Sequence, residues 1–472
     1  MTNIKDIIVK DEKAFPILKI AGEIGEQHNL KVFVVGGFVR DLFLNRESIE
    51  IDLMVEGDGI KFSRLLADEL GVKKIVPFKE FGTAKIPYPI MEIEVASARL
   101  EDYDKSSRKP KDVKYTDIFG DLKRRDFTIN AMAVDLLPKT FGDLYDPYNG
   151  IADLKAKHLI TPLDPDETFS EDPLRMMRAA VFASRFDLQI NDDGLKSMQK
   201  QADRIQIVSR ERITAELIKI LETDKPSIGL INLQKTGIMK YVFPEIDIMH
   251  GIEQPKEWHH KDIFYHTMQV VNNAAKLSDK MELRFAALVH DIGKPKTRRI
   301  HNTKGFTFHG HDDLGSRMLQ KIAKRMKLSN DLKDYLIKMT SLHLRPIALA
   351  KKGVSDSAVR RLIVTAGEET DDLLTLCRAD ITSKNPERVK RYMGNFERVE
   401  KFMQDVVERD KLKAFQSPVR GDKIMQVCRI TEGKKVGEIK SVIEEAILDG
   451  KIENTYDAAL KYLMKIKDDF LK

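Results

Sequence analysis

The feature that most constrains this chain is a change of hydrophobic period near residue 150. Upstream of it the strand signals lie between roughly residues 30 and 145. Val32-Phe33-Val34-Val35 is a short apolar run stopped by Gly36-Gly37, while residues 49–55 (IEIDLMV) and 91–95 (MEIEV) alternate. Alternation with β-branched residues marks strands, because successive side chains point to opposite faces. Downstream the apolar residues recur at spacings of three and four, the helical period. Clear cases are 171–186 (EDPLRMMRAAVFASRF), 210–223 (RERITAELIKILET), 283–293 (LRFAALVHDIG), 356–367 (DSAVRRLIVTAG) and 456–470 (YDAALKYLMKIKDDF). The expected fold class is α+β: a small mixed β-sheet with helices, then a long all-helical body. Neither a fixed-period repeat nor a low-complexity tract interrupts it. Turn-rich breaks at 161–170, 250–260 and 415–422 are candidate boundaries.

Composition narrows the class. At about 150 residues per domain, 472 residues suggest about three domains. No apolar run approaches the roughly 18 residues of a membrane helix, and the opening MTNIKDIIVKDEKAF lacks a signal-peptide core. The expectation is a soluble cytoplasmic protein with no membrane partner. Cys377 and Cys428 are the only cysteines, too few for a disulfide framework or a thiolate zinc site. Lys and Arg number 80 against 74 Asp and Glu, a net +6 that is compatible with a polyanionic partner without specifying one. Residues 105–114 (KSSRKPKDVK) hold five basic side chains and one acid, and 294–304 (KPKTRRIHNTK) hold five and none. Each stretch reads as a solvated face or as a phosphate track.

GGFVRD (36–41) followed by Glu50-Ile51-Asp52 carries the first chemistry. A strand entering Gly36-Gly37 and then a helix places backbone N–H groups at a helix start, a phosphate-binding geometry to which Arg40 could add a charged contact. Glu50 and Asp52, two apart on a strand, share one face, with Ile49, Ile51 and Leu53 on the other. Neighbouring carboxylates repel unless a cation lies between them, and hard divalent ions such as Mg²⁺ suit oxygen ligands. Glu94 on the later strand is a third candidate acid. The plainer reading is a solvent-facing acidic stripe.

GG-x-V-R-D, the acidic-x-acidic strand, RRDFTINA (124–131) and EDPLRMMR (171–178), in that order and spacing, resemble the class II tRNA nucleotidyltransferases, the CCA-adding enzymes related to bacterial poly(A) polymerases. The likeness continues through DPYNG (146–150), TPLDPDETF (161–169) and SRERITAEL (209–217), nearly the whole chain. It implies template-independent addition of CCA to tRNA 3′ ends from CTP and ATP, with Mg²⁺ held by Glu50 and Asp52. It also implies a nucleotidyltransferase head (1–160), a helical neck binding nucleobase and tRNA (161–250), an HD-type helical domain (251–400) and a helical tail (401–472). Residues 105–120 would form a mobile loop that helps switch from C to A. Asp172 and Arg175 would read the base. Cytosine and adenine offer an amine beside a ring acceptor, which a carboxylate and a guanidinium match, whereas uracil and guanine present a carbonyl there. From spacing alone Asp172 is as well read as a helix cap ahead of Pro173. Arg124 would contact the triphosphate, with Asp126 and Asn130 near the ribose; the alternative is that Asp126 caps a helix and Asn130 braces a turn. Glu50 stands where the family usually has Asp, and Val181 where it often has a phosphate-facing arginine, leaving more of that task to Arg178.

His266 (FYHTMQ), His290-Asp291 (LVHDIGKPKTRR) and Asp380 (CRADITSKN) form a second constellation, spread over several helices that could converge on one metal. His290-Asp291 within an apolar helix would be costly to bury unpaired. Their order resembles the HD phosphohydrolase superfamily, and His311 and His343 would extend the set. A divalent metal is implied there, serving hydrolysis of a tRNA 3′ or 2′,3′-cyclic phosphate or only scaffolding. The other functions consistent with the sequence are an A-adding or poly(A) enzyme, against which no GRRFRL-like segment is present, and an HD hydrolase with a degenerate head. The sequence leaves oligomeric state and the identity of the HD metal open.

Overall fold

The computed structural model of the chain describes residues 2–103, 110–252, 262–301, 305–349, 355–383, 385–410 and 417–471. They form two compact units, residues 1–247 and 248–472.

The first unit is organised by a seven-stranded sheet. Its strands are β1 (Val32–Val35), β2 (Glu50–Val55), β3 (Val76–Phe78), β4 (Thr83–Pro87), β5 (Glu92–Ser97), β8 (Ala133–Asp135) and β9 (Leu144–Tyr145), in spatial order β3-β4-β5-β2-β1-β8-β9. Only β2 and β5 run parallel. The alternation read from the sequence sets the faces. Val34, Ile51, Leu53, Ile93 and Val95 enter one core beneath the helices Ala14–Gln27 and Gly59–Glu69. Phe33, Val35 and Met54 turn the other way and are covered in part by Ile118 and Leu122 of the helix Ile118–Lys123. Asp58 starts the second of those core helices by accepting from the Lys61 N–H at 3.0 Å, satisfying a donor that a helix start leaves unpaired. Ile49 does not join the core with Ile51 and Leu53; it precedes β2 and is 75% exposed.

Beyond the sheet, helices Pro165–Glu171, Leu174–Phe186, Arg210–Leu221 and Pro226–Lys235 complete this unit. The strands are less confined than the sequence suggested. A two-residue parallel pair, β10 (His158–Leu159) with β11 (Gln189–Ile190), joins the start of this helical region to the end of Leu174–Phe186. Residues 105–120 are not one loop either. β7 (Pro110–Tyr115) pairs antiparallel with β6 (Arg99–Tyr103), and Asp117 then caps the helix Ile118–Lys123. Residues 105–109 of that expected loop lie outside the described residues.

In the second unit, helices Ile263–Leu277, Met281–Val289, His311–Met326, Asn330–Leu342 and Thr370–Ala379 enclose a buried histidine cluster. A hairpin of β12 (Arg299–His301) and β13 (Gly305–Thr307) leads from the second of these to the third. His290-Asp291 is not inside a helix: the helix ends at Val289, and the dipeptide occupies the turn that follows. The helix Pro386–Asp410 precedes three shorter ones, Gly421–Cys428, Lys434–Leu448 and Tyr456–Leu471, whose own core includes Ile424, Ile439, Ile443 and Leu463. Most of the expected break at 250–260 lies outside the described residues, at 253–260; of the one at 415–422 only residues 415–416 do, and the rest leads into the helix Gly421–Cys428. No described helix is long and apolar enough to cross a membrane.

Gly22 lets the helix Ala14–Gln27 lie directly against the chain beyond β8: a Cβ there would sit 1.8 Å from the Leu136 carbonyl oxygen. Gly22→Ala should therefore force backbone apart and destabilise the head by about 3 kcal/mol or more, read as a lower urea midpoint at unchanged slope.

Candidate functional site

The strand β1 ends at Gly36, whose φ of 69° and ψ of −123° suit only glycine. A Cβ on it would lie 2.7 Å from Arg125 Nη1 and 3.7 Å from Asp52 Oδ2. The turn thus keeps backbone, guanidinium and carboxylate in close company, and Gly37 opens the helix Gly37–Phe43. On β2 the carboxylate Asp52 stands in register with Glu94 of β5, and Glu50 with Glu92. Ile51, Leu53, Ile93 and Val95 on the opposite face are fully buried, so the acids share the face that carries Met54 and the smaller core. Burial pushes the Asp52 carboxyl up to about 6, with Glu94 and Glu50 adding to the rise and Arg125 and Arg40 opposing it. Glu94 is 3.8 Å from Lys85 Nζ. Among the described residues, the head acids are not gathered as tightly as the histidine cluster, which alone holds groups of three ligand atoms within 4.8 Å. Their donors are carboxylate oxygens in mutual repulsion, and that fits a hard divalent ion.

The polar residues expected to touch nucleotide prove to be wired to each other. Arg40 is buried, donates to Asn130 Oδ1 at 2.6 Å and pairs with Asp41, and its guanidinium lies 4.4 Å from the Phe186 ring centroid. It braces the glycine turn instead of offering a charge to solvent. Asp126 accepts from Arg178 Nε at 2.6 Å, from Asn130 Nδ2 at 3.1 Å and from the Phe127 N–H at 2.9 Å. Burial works to raise its carboxyl, but Arg178 and Asn130 outweigh that and hold it below the usual carboxylate range. Asp126 and Asn130 therefore act here as internal connectors. Arg124 is held by Asp121, and its carbonyl accepts from Arg175 Nη2 at 2.8 Å.

On the helix Leu174–Phe186, Asp172 caps as the spacing allowed: its Oδ1 accepts the Leu174 N–H at 3.0 Å, while Oδ2 lies 3.6 Å from Arg212. Arg175 is buried and also donates to Glu171 at 2.8 Å and to the Thr168 carbonyl at 3.2 Å. Val181 is buried in the helix-packed face, so the position cannot supply a phosphate contact, and Arg178 stands on the half-buried side above Phe182. Sequence reasoning missed Arg125, the second arginine of RRDF. Arg125, which also donates to the Asn130 carbonyl at 3.3 Å, is the one whose guanidinium reaches the Gly36 turn and acts on Asp52. Adjacent arginines carry no sequence signal that says which way each points.

In the second unit the four expected ligands and both extensions converge. His266, His290 and Asp380 form one group and Asp291, His311 and His343 another. Each imidazole spends Nδ1 on a protein oxygen: Thr382 Oγ1 for His266, and the carbonyls of Ala287, Phe308 and Thr340 for His290, His311 and His343. That fixes the rings with Nε2 turned inward, the orientation a metal requires. Asp291 lies between the groups, Oδ2 3.1 Å from His290 Nε2 and Oδ1 3.2 Å from His311 Nε2. His290 Nε2 is buried, and despite that short distance it has no hydrogen bond of acceptable geometry. An orphaned inward nitrogen among carboxylates fits a divalent metal. Without one, burial opposes a charged His290, but Asp291 and Asp380 overcome it and raise the imidazole to about 10. Lys294, also unforeseen, donates to Asp291 Oδ2 at 2.6 Å.

Residues 32–160 match the family model of the poly A polymerase head domain, 187–249 that of the probable RNA and SrmB-binding site of polymerase A, and 263–385 that of the HD domain. The multifunctional CCA protein of Shewanella frigidimarina (strain NCIMB 400) is 34% identical over 323 residues, covering 66% of this chain and 74% of that protein. The chain belongs to the CCA-adding tRNA nucleotidyltransferase family. Solved members of that family share its fold. The Bacillus stearothermophilus CCA-adding enzyme in complex with CTP matches with a TM-score of 0.70 at 20% identity, over 97% of this chain and 98% of that one. The Thermotoga maritima CCA-adding enzyme complexed with tRNA_CCA matches with a TM-score of 0.62 at 21% identity, over 98% and 99%.

Two titrations test the centres. A proton on Asp52 excludes a metal, so head affinity for Mn²⁺ should fall about tenfold per pH unit below about 6; the check is the difference between wild type and Asp52→Asn in a paramagnetic titration. Ligation by His290 needs its neutral ring, so at pH 8 metal entering the histidine cluster should expel about one proton per ion. Calorimetry in buffers of different ionisation enthalpy measures that proton, and His290→Ala should abolish it.

Proposed function

We propose that this protein adds C, C and A to tRNA 3′ ends from CTP and ATP, releasing pyrophosphate. The observation that carries the reading is continuity: Asp52, in register with Glu94, lies beside the Gly36 turn, and Arg125, Asn130, Asp126 and Arg178 link that turn by hydrogen bonds to the helix that bears Arg175 and follows Asp172. Divalent metal, Mg²⁺ in this reading, held by Glu50, Asp52 and Glu94 would acidify the primer 3′-hydroxyl and neutralise charge on the α-phosphate. The chain supplies the rest. The Gly36-Gly37 turn lets phosphate approach the backbone, and Arg125 stands beside it for the departing pyrophosphate. Asp172 accepts from the exocyclic amine of cytosine or adenine through Oδ2, the oxygen its cap does not use. Arg175 donates to the ring nitrogen by exchanging its contact with Glu171. Uracil or guanine would leave Asp172 facing a carbonyl, a costly mismatch in a closed pocket.

We assign residues 1–160 to the catalytic head, 161–250 to a neck that binds base and tRNA, 251–400 to the HD domain and 401–472 to the tail, in a cytoplasmic protein. The orphaned His290 Nε2 supports a divalent metal held by His266, His290, Asp291 and Asp380, with His311 and His343. That site serves a second, phosphohydrolase activity on RNA 3′ or 2′,3′-cyclic phosphates.

Purified protein given tRNA lacking its CCA, Mg²⁺, CTP and ATP should extend it by three nucleotides on a sequencing gel. Extension by A alone would make it an A-adding enzyme, and cyclic-phosphate hydrolysis without extension would leave only the HD activity. Asp52→Ala should abolish transfer. Asp172→Ala should retain transfer and admit UTP, with CTP-over-UTP selectivity falling about a hundredfold or more; unchanged selectivity would remove Asp172 from base choice.

A further inference from the structure

The arginines of RRDF share one acceptor. Asp121, on the helix Ile118–Lys123, is 1% exposed. Its Oδ1 accepts from Arg124 Nε at 3.1 Å and Nη2 at 2.7 Å, and its Oδ2 from Arg125 Nε at 3.1 Å and Nη2 at 2.9 Å. A single carboxylate thus receives two N–H groups from each guanidinium, one oxygen per arginine, and these charge-assisted bonds hold both planar cations against it. Burial favours the neutral acid, yet the two arginines outweigh it and keep Asp121 ionised.

The remaining edge of Arg125 is then committed in direction. Its Nη1 donates to the Asn130 carbonyl at 3.3 Å and lies 2.7 Å from where a Gly36 Cβ would be. The Arg125 charge therefore stands beside the Gly36-Gly37 turn, where it also acts on Asp52. Asp121 itself is too buried for a ligand to touch. From this we infer that Asp121 is a positioning residue that aims the two arginines, and Arg125 above all, at the β- and γ-phosphates of the incoming nucleotide, whatever its base. The inference rests on the nucleotidyl-transfer reading, but its test does not need extension to occur.

The probe is inorganic tripolyphosphate with Mg²⁺, titrated into the full chain by calorimetry. Asp121→Asn should weaken its binding about tenfold or more, because small misplacements of a clamp are expensive. The same variant should raise KM for CTP and for ATP by a common factor, with kcat and the choice between the bases changed less than about twofold. A merely structural role would instead lower the active fraction and kcat at constant KM. Removing the acceptor should matter only while its donors are present. In an Arg124→Gln/Arg125→Gln background, Asp121→Asn should add less than about twofold. Should Asp121→Asn not fold, Asp121→Glu keeps the charge while displacing both guanidiniums, and is expected to weaken tripolyphosphate at least about threefold at unchanged Tm. Wild-type tripolyphosphate affinity in a folded Asp121 variant, or additive losses in the arginine background, would overturn the inference. Failure of tRNA extension with these binding changes intact would overturn only the polymerising reaction.

Discussion

The head depends on one buried anion. Asp126 has only 8% of its surface exposed, yet it keeps its charge because Arg178, Asn130 and the Phe127 N–H all donate to it. Stripping water from a carboxylate costs several kcal/mol, and taking away one donor leaves that cost uncompensated. The three partners come from different places: the helix Leu174–Phe186, a short turn and the adjacent backbone. Asn130 passes the constraint on by accepting from Arg40 at 2.6 Å and, through its carbonyl, from Arg125 at 3.3 Å. Arg40 in turn stacks near Phe186, at the far end of the same helix as Arg178. The glycine turn, the strand bearing Asp52 and the helix that begins at Leu174 therefore cannot shift independently without exposing a buried charge.

The two acidic centres handle the same electrostatic problem differently. In the head, Asp52 lies among carboxylates and is buried, so its proton is held up to about 6. Around Asp291 the anions are instead offset by protonated His290 and by Lys294, and the Asp291 carboxyl is pulled well below the usual range although burial opposes this. Oxygen-only donors favour a hard ion, whereas inward imidazole nitrogens with anchored Nδ1 atoms also suit softer divalent metals. Each centre gathers like charges at a cost that a bound cation would offset.

Much of this was readable before the fold was known. The alternation of IEIDLMV and MEIEV marked two strands and which of their faces carries Asp52 and Glu94, because a strand has no other way to arrange alternate residues; their parallel pairing came from the fold. The members of the histidine cluster were also identifiable, although they lie far apart in sequence. The turn at His290-Asp291 was not, since Ile292 beyond it is as buried as the helix before it and continues the apolar pattern. Likewise, the basic character of residues 110–115 concealed a strand whose partner, β6, precedes it by only a short span. Local charge reports solubility of a surface and says little about backbone pairing.

The sequence by itself determined the class of fold, the placement of acids on one sheet face, the members of the histidine cluster, and the family. These follow from period, turn chemistry and motif order, which are local properties of the chain. Only the tertiary structure decided the division of labour among like residues. It turned Arg125 toward Asp52 while Arg124 lies beside Arg175, and it used Asp126, Asn130 and Arg40 as internal bracing. It also gave Asp172 a cap on one oxygen while the other lies toward Arg212. The reason is that a guanidinium or carboxylate has several equivalent partners along the chain, and which it takes is set by the desolvation of residues distant in sequence.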